Sequence, residues 1–325
     1  MPRTLARLTV LLTLIAVALT ALAAPAGAKG KKAKPAPRQP AVIGIADQHG
    51  ETFSDPLFTA LGVRHARLNL AWDALQYDWQ VKQLDEWMQS AQANGVTPLV
   101  IFSQSRVPGR TRIVPTPAML GDQFDALRAR YPFLTEFAAW NEANHPGQPT
   151  YRQPGAVAAF YATLRARCPG CTILPASLLD NRQLVPWTKT LLKAIRRLRA
   201  PQPKVWGFHN YSDVNRLKDA STKALLKVVK GQVWITESGG VVRATSPTAS
   251  KFPQGVPYAG RVTRYILGSM LKRNPGVTRV YFYEWKAQQQ PVSWDSGMVD
   301  VTGAPRPSYN ILKQYLTNAR LAARR

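Results

Sequence analysis

The chain has 325 residues, 45% of them hydrophobic and 19% charged, with 43 Lys and Arg against 18 Asp and Glu for a formal charge of +25. An ordinary apolar fraction excludes a wholly disordered chain, and the lack of a Gly-X-Y period or a sustained heptad excludes collagen and coiled coil. Two cysteines cannot build a disulfide scaffold, and His49, His65, His145 and His209 show no metal-ligand spacing, so neither a metal nor a cofactor is expected.

Arg3 and Arg7 precede an apolar run from Leu8 to Ala24, which Pro25 breaks before the small-residue pattern Ala26-Gly27-Ala28. This predicts a secretory signal peptide over residues 1–28, with an uncleaved membrane anchor as the alternative. Cleavage removes two positive charges and no acid, leaving +23 of the +25. Residues 29–40, KGKKAKPAPRQP, are a basic, Pro-rich linker that can bury nothing. The expectation is a secreted or envelope-associated protein, touching a membrane only through the signal segment, in a compartment that permits disulfides. Cys168 and Cys171 end a helix pattern rather than begin one, so nothing lowers a thiol pKa for redox work. A local structural disulfide is expected, with free thiols as the alternative.

Residues 41–325 then alternate strand and helix. Ala41–Ala46 reads as a strand. Ser54 or Asp55 caps a short helix with Pro56 in its first turn. Strand two covers Ala66–Leu70, and Val81–Ala93 is a helix with Val81, Leu84, Trp87, Met88 and Ala91 on one face, stopped by Asn94-Gly95. Then come strand Thr97–Phe102, helix Met119–Arg130, strand Glu136–Trp140, helix Ala156–Arg167, strand Thr172–Ala176 and helix Leu184–Leu198. Strand Val205–Phe208, helix Thr222–Lys230, strand Val233–Thr236, helix Tyr258–Arg273, strand Arg279–Tyr283 and helix Ser308–Thr317 complete the chain. Short strands separated by helices imply right-handed crossovers and a parallel sheet. Eight such units fit one α/β domain, a closed (β/α)8 TIM barrel over 41–325. A doubly wound open sheet is the rival, but Ala46-Asp-Gln-His-Gly50 lacks the glycine spacing of its phosphate loop.

In a barrel, chemistry sits where strands end. The polar residues there are Asp47 and His49 after strand one, Arg67, Asn69 and Trp72 on strand two, and Ser103-Gln104 after strand three. Asn141, Glu142, Asn144 and His145 follow strand four, His209-Asn210-Tyr211 strand six, Glu237-Ser238 strand seven and Glu284-Trp285 strand eight. Two glutamates on facing rim positions matter most. Acetal hydrolysis needs one carboxyl group to protonate the leaving oxygen and a second, ionised, as nucleophile or base.

Trp140-Asn141-Glu142 at strand four and Ile235-Thr236-Glu237 at strand seven resemble the clan A glycoside hydrolases, retaining TIM-barrel glycosidases with cellulase-like and xylosidase-like branches. The resemblance covers about residues 41–318 and implies Glu142 as acid/base and Glu237 as nucleophile. It further implies that Asn141 bonds the sugar 2-hydroxyl, that Arg67 lies near the nucleophile, that Tyr211 of His209-x-Tyr211 bonds it, and that Trp285 is a sugar-stacking platform. Trp72, Trp294 and Tyr258 could extend that platform. Arg67 and Tyr211 should favour an ionised Glu237, and Glu142, facing Trp140 and Glu237, should have a raised pKa.

Plainer readings stay open: Glu142 as a solvated charge, Glu237 as a helix cap, Arg67 as a partner for some buried acid, His209 as a core histidine, Glu284 as a supporting acid. The expected function is hydrolysis of O-glycosidic bonds in a carbohydrate; the alternative is a non-catalytic carbohydrate- or wall-binding barrel with a basic surface. The charge, with clusters at Lys189–Arg199 and Lys218–Lys230, suits an anionic cell-envelope polymer. No helix-turn-helix, zinc-finger or RNP motif points to a specific nucleic acid.

Overall fold

A computed structural model describes residues 40–247, 249–289 and 292–323. The expected signal peptide and nearly all of the linker lie outside these residues. Eight parallel strands form the barrel: β1 (Val42–Ala46), β2 (His65–Ala71), β3 (Thr97–Ser103), β4 (Glu136–Ala138), β5 (Thr172–Leu174 and Ser177–Leu179), β6 (Val205–His209), β7 (Gln232–Ser238) and β8 (Val277–Tyr283). The order is β5-β4-β3-β2-β1-β8-β7-β6, and β6 returns to the second half of β5. Pro175 has no N–H to give a ladder, so β5 breaks there. Its first half pairs with β4 and its second with β6, which closes the barrel.

The eight main helices are α1 (Pro56–Leu61), α2 (Asp78–Ala93), α3 (Pro117–Arg130), α4 (Pro154–Arg167), α5 (Leu184–Arg197), α6 (Ala220–Val228), α7 (the continuous run Val256–Tyr265, Ile266–Met270 and Leu271–Arg273) and α8 (Pro307–Ala323). Capping explains several starts. The Asp55 carboxylate accepts the Leu57 N–H at 2.8 Å and the Thr116 hydroxyl accepts the Met119 N–H at 3.1 Å, each just before a proline at the first helical position. Gly62 and Gly95, at φ 61° and 62°, end α1 and the turn after α2 in a conformation that costs a side chain energy. A disulfide joins Cys168 to Cys171, Cα atoms 5.3 Å apart, in the turn after α4. No described helix is long and apolar enough to cross a membrane.

Alternate strand residues face opposite ways. One set, with Ala46, Leu99, Ile101, Ala138, Leu174, Trp234 and Tyr281, fills the interior. The other, with Ile45, Phe102, Phe137, Phe208, Ile235 and Phe282, packs under the helices against Phe53, Trp87, Phe124 and Phe160. Edge-on pairs such as Phe53–Trp87 at 4.9 Å and Phe124–Phe137 at 4.8 Å pack this layer. The floor is ionic. Arg279 donates to Glu136 at 2.5 Å and to the Tyr281 hydroxyl at 3.0 Å, with its guanidinium 3.7 Å from the Trp234 ring centre. Burial and that same arginine push His65 down to about 4. The plugged floor leaves the C-terminal rim as the open end.

Candidate active site

Two backbone irregularities aim the rim carboxylates. On β7, Trp234 faces the interior and Ile235 the helices, so strict alternation would turn Glu237 outward. The ladder slips here: Phe208 pairs with Ile235, but His209 pairs with Glu237. This bulge returns Glu237 to the interior. Glu142, past the end of β4, holds φ at 43°. A glutamate in that left-handed region costs on the order of 1–3 kcal/mol, and such strain persists only when neighbours enforce it. Asn144 enforces it: its side chain exchanges hydrogen bonds with both backbone groups of Leu179 at 2.8 and 2.7 Å, and its carbonyl accepts from Asn181 at 2.9 Å. The Glu142 turn is thereby pinned to the end of β5.

Arg67 joins the two sides. Its buried guanidinium donates to Glu237 Oε2 at 2.6 Å and to Asn141 Oδ1 at 2.5 Å. The Tyr211 hydroxyl donates to Glu237 Oε1 at 3.1 Å, so both oxygens of that carboxylate are held. Ala46 pairs with Arg67 on one side and Tyr283 on the other, which sets those two residues at one level of the rim. A cavity of about 250 Å³ opens above them, lined by Gln48, Arg67, Asn69, Arg106, Asn141, Glu142, Glu237 and Tyr283. Gln48 is fixed by two bonds to the Asn69 backbone, at 2.8 and 2.9 Å. No three His, Cys, Asp or Glu residues gather as metal ligands among the described residues.

Glu142 differs from expectation. Burial alone would raise the Glu142 carboxyl, but His209, with smaller contributions from His145 and Arg67, carries it below the ordinary glutamate value. His209 Nδ1 lies 3.1 Å from Glu142 Oε1, on a fully buried ring whose Nε2 has no partner. Trp140, expected to face Glu142, instead stacks on Phe160 of α4 at 5.5 Å. Tyr211 is held well above its ordinary value, first by burial and then by the Glu237 charge, so its phenol keeps the proton it donates. If free Glu142 must be protonated to act, its pKa sets the alkaline limb of kcat/KM. Removing the group that depresses it raises that pKa. His209→Asn is therefore expected to move the alkaline limb to higher pH; a limb unmoved or lowered in the pH profile would refute the coupling.

Glu142, Glu237, Arg67 and Asn141 line the cavity, and His209 and Tyr211 grip the carboxylates from the buried side. Trp285 does not take part as a platform. It is 1% exposed, wedged between Phe58 and Tyr309, with its indole N–H on Asp55 at 2.9 Å. β8 ends at Tyr283, and the backbone N–H of Trp285 is held outside the barrel mouth by Asp47 at 2.8 Å. Tyr283 is the aromatic residue that lines the cavity. Of the proposed platform extensions, Trp72 is buried, Tyr258 donates to the Asn215 carbonyl at 3.1 Å, and Trp294 packs edge-on against Tyr211 at 4.8 Å. Asp47 ties β1 to the chain after β8, His49 is exposed, and His145 accepts the Gly147 N–H at 3.0 Å. Glu284 is a buried acid, pushed up to about 8 by burial and by Asp47 and Asp295. Gln48, Arg106 and Tyr283 are cavity residues that the motifs do not single out.

No family model matches the chain, and no curated protein matches it in sequence. Solved structures do match in fold. A GH5_18 protein from Streptomyces cattleya, solved with GlcNAc, is 17% identical, with a TM-score of 0.62 over 87% of this chain and 81% of its own. A psychrophilic glycoside hydrolase family 10 endo-β-1,4-xylanase is 14% identical, TM-score 0.59, over 83% of this chain and 96% of its own. An exo-β-1,4-mannosidase from Opitutaceae bacterium strain TAV5 is 15% identical, TM-score 0.59, over 87% of this chain and 60% of its own. The expected likeness to glycoside hydrolase barrels is thus met at the level of fold.

Proposed function

We propose that this chain is an exported retaining glycoside hydrolase acting on a carbohydrate by double displacement. The observation that carries this reading is the placement of Glu142 and Glu237, from the ends of β4 and β7, in one polar cavity and linked through Asn141 and Arg67. The named carbohydrate enzymes among the similar folds support it. In the first step a Glu237 oxygen attacks the anomeric carbon. The glycosidic C–O bond breaks as Glu142 gives its proton to the leaving oxygen, and a glycosyl ester on Glu237 remains. In the second, Glu142 takes a proton from water, the water oxygen bonds the anomeric carbon, and the ester bond opens to return the Glu237 carboxylate. Arg67 and Tyr211 keep the attacking oxygens oriented. Asn141, held by Arg67, is placed to meet a hydroxyl of the bound sugar. Tyr283 supplies an apolar ring face.

Double displacement conserves anomeric configuration. Proton NMR of fresh hydrolysate from aryl β-glycosides and polysaccharides is expected to show the β-anomer first. An α-product would mean single displacement. Saccharide binding with no turnover would leave a carbohydrate-binding barrel in place of an enzyme.

A further inference from the structure

The cavity holds two arginines in different electrical situations. Arg67 is matched by Glu237 at 2.6 Å. Arg106, from the loop after β3, donates one N–H to the Asn69 carbonyl at 2.8 Å and makes no ion pair with a carboxylate among the described residues. A guanidinium carries five donors, so most of its hydrogen-bonding capacity and its full charge remain for whatever enters. Arg67 is already paired with Glu237, so Arg106 is the wall cation with no carboxylate partner among the described residues. A neutral sugar leaves that charge unmatched.

The outer surface shows a similar bias in one half only. Residues 40–180 carry 11 Lys and Arg against 12 acids, whereas residues 181–294 carry 20 against four. Of those four, Asp213, Asp219 and Glu284 are buried and Glu237 is in the cavity. The side of the barrel built from α5 through α7 therefore presents no exposed carboxylate. Lys189, Lys193, Arg196 and Arg197 on α5 and Lys223 and Lys227 on α6 all stand exposed on it. Charge added for general solubility has no reason to collect on one half; a field of one sign attracts a chain of the other.

We infer that the substrate is an acidic glycan, and that Arg106 pairs with the carboxylate, sulfate or phosphate borne by a sugar bound in the cavity. This deepens the glycosidase reading and rests on it for turnover, but the binding claim can be tested apart from it. Charge-assisted bonding from an arginine contributes a factor of roughly 10 to 100 in recognition. The α5–α6 face draws in the rest of the same polyanion, a long-range effect that salt weakens.

The experiment pairs acidic and neutral versions of one sugar. The full-length protein, Arg106→Gln and Arg106→Lys are assayed on aryl β-glucuronide against β-glucoside, mannuronide against mannoside, and acidic against neutral oligosaccharides, with calorimetric binding in parallel. Circular dichroism checks that the variants fold. The expected result is at least about a tenfold preference for one acidic member over its neutral partner, falling about 10- to 100-fold in Arg106→Gln. Arg106→Lys should recover part of that loss, and the loss on the neutral partner should be clearly smaller than on the acidic one. Added salt should weaken the acidic reaction alone. Turnover of neutral glycans with no acidic preference, or equal losses on both in Arg106→Gln, overturns the inference and leaves the glycosidase. Binding of acidic oligosaccharides that depends on Arg106 without any hydrolysis supports the inference and removes the enzyme. Binding of nucleic acid with no binding of acidic glycans overturns it.

Discussion

Glu237→Gln is expected to lower kcat/KM by at least about 10³-fold on every substrate the protein cleaves, equivalent to roughly 4 kcal/mol of lost transition-state stabilisation. The substitution keeps shape. A carboxamide oxygen still accepts from Arg67, and the Tyr211 hydroxyl can turn to accept from the new NH₂ in place of donating. What disappears is the anion able to form the glycosyl ester, and no leaving group compensates for that. The loss should be as large for an activated aryl glycoside as for a polysaccharide, with a near-normal melting temperature. A smaller variant, Glu237→Gly, leaves room for azide. Azide entering from the nucleophile's side should give the glycosyl azide of inverted configuration. A Glu237→Gln protein retaining more than about a tenth of activity would remove this residue from the chemistry.

The barrel and its two acids were legible because both follow from periodicity. Helices at a three-to-four spacing and strands of four to six residues set the count, and the rule that chemistry lies at strand ends singled out Glu142 and Glu237 among 18 acids. Other parts depend on where a strand stops. Tyr281 lies inside the barrel, so Tyr283, two residues on, faces the rim, whereas Trp285 lies beyond β8. The resemblance points to Trp285 as the platform; register puts Tyr283 on the cavity wall in its place. The bulge that aims Glu237 and the break in β5 at Pro175 come from pairing between distant strands. The same holds for the proton of Glu142. His209 is 67 residues away along the chain, and only the closed barrel puts its ring against that carboxylate. Arg106 sits in a loop with no periodic signal, and the role proposed for it rests on its lack of a carboxylate partner among the described residues.

Glu142→Gln should produce a different pattern from Glu237→Gln. A general acid contributes about 10² to 10⁴ to rate when the leaving oxygen needs a proton and little when it does not. On a polysaccharide or an alkyl glycoside the variant should fall by that full range. On a dinitrophenyl glycoside, whose phenolate departs unaided, formation of the glycosyl ester should remain fast. The ester then persists because no base activates water, so stopped-flow traces should show a burst of phenolate followed by a slow steady state. Azide, which needs no base, should relieve the second step and give the azide of retained configuration, opposite to the product from Glu237→Gly. The alkaline limb that His209 helps to set should also vanish, since the group that loses its proton there is gone. Equal losses on both classes of leaving group, with no burst, would mean that Glu142 holds the site together and does not transfer the proton. The pair would then need another acid facing the same cavity, and among the described lining residues Glu142 and Glu237 are the only carboxylates.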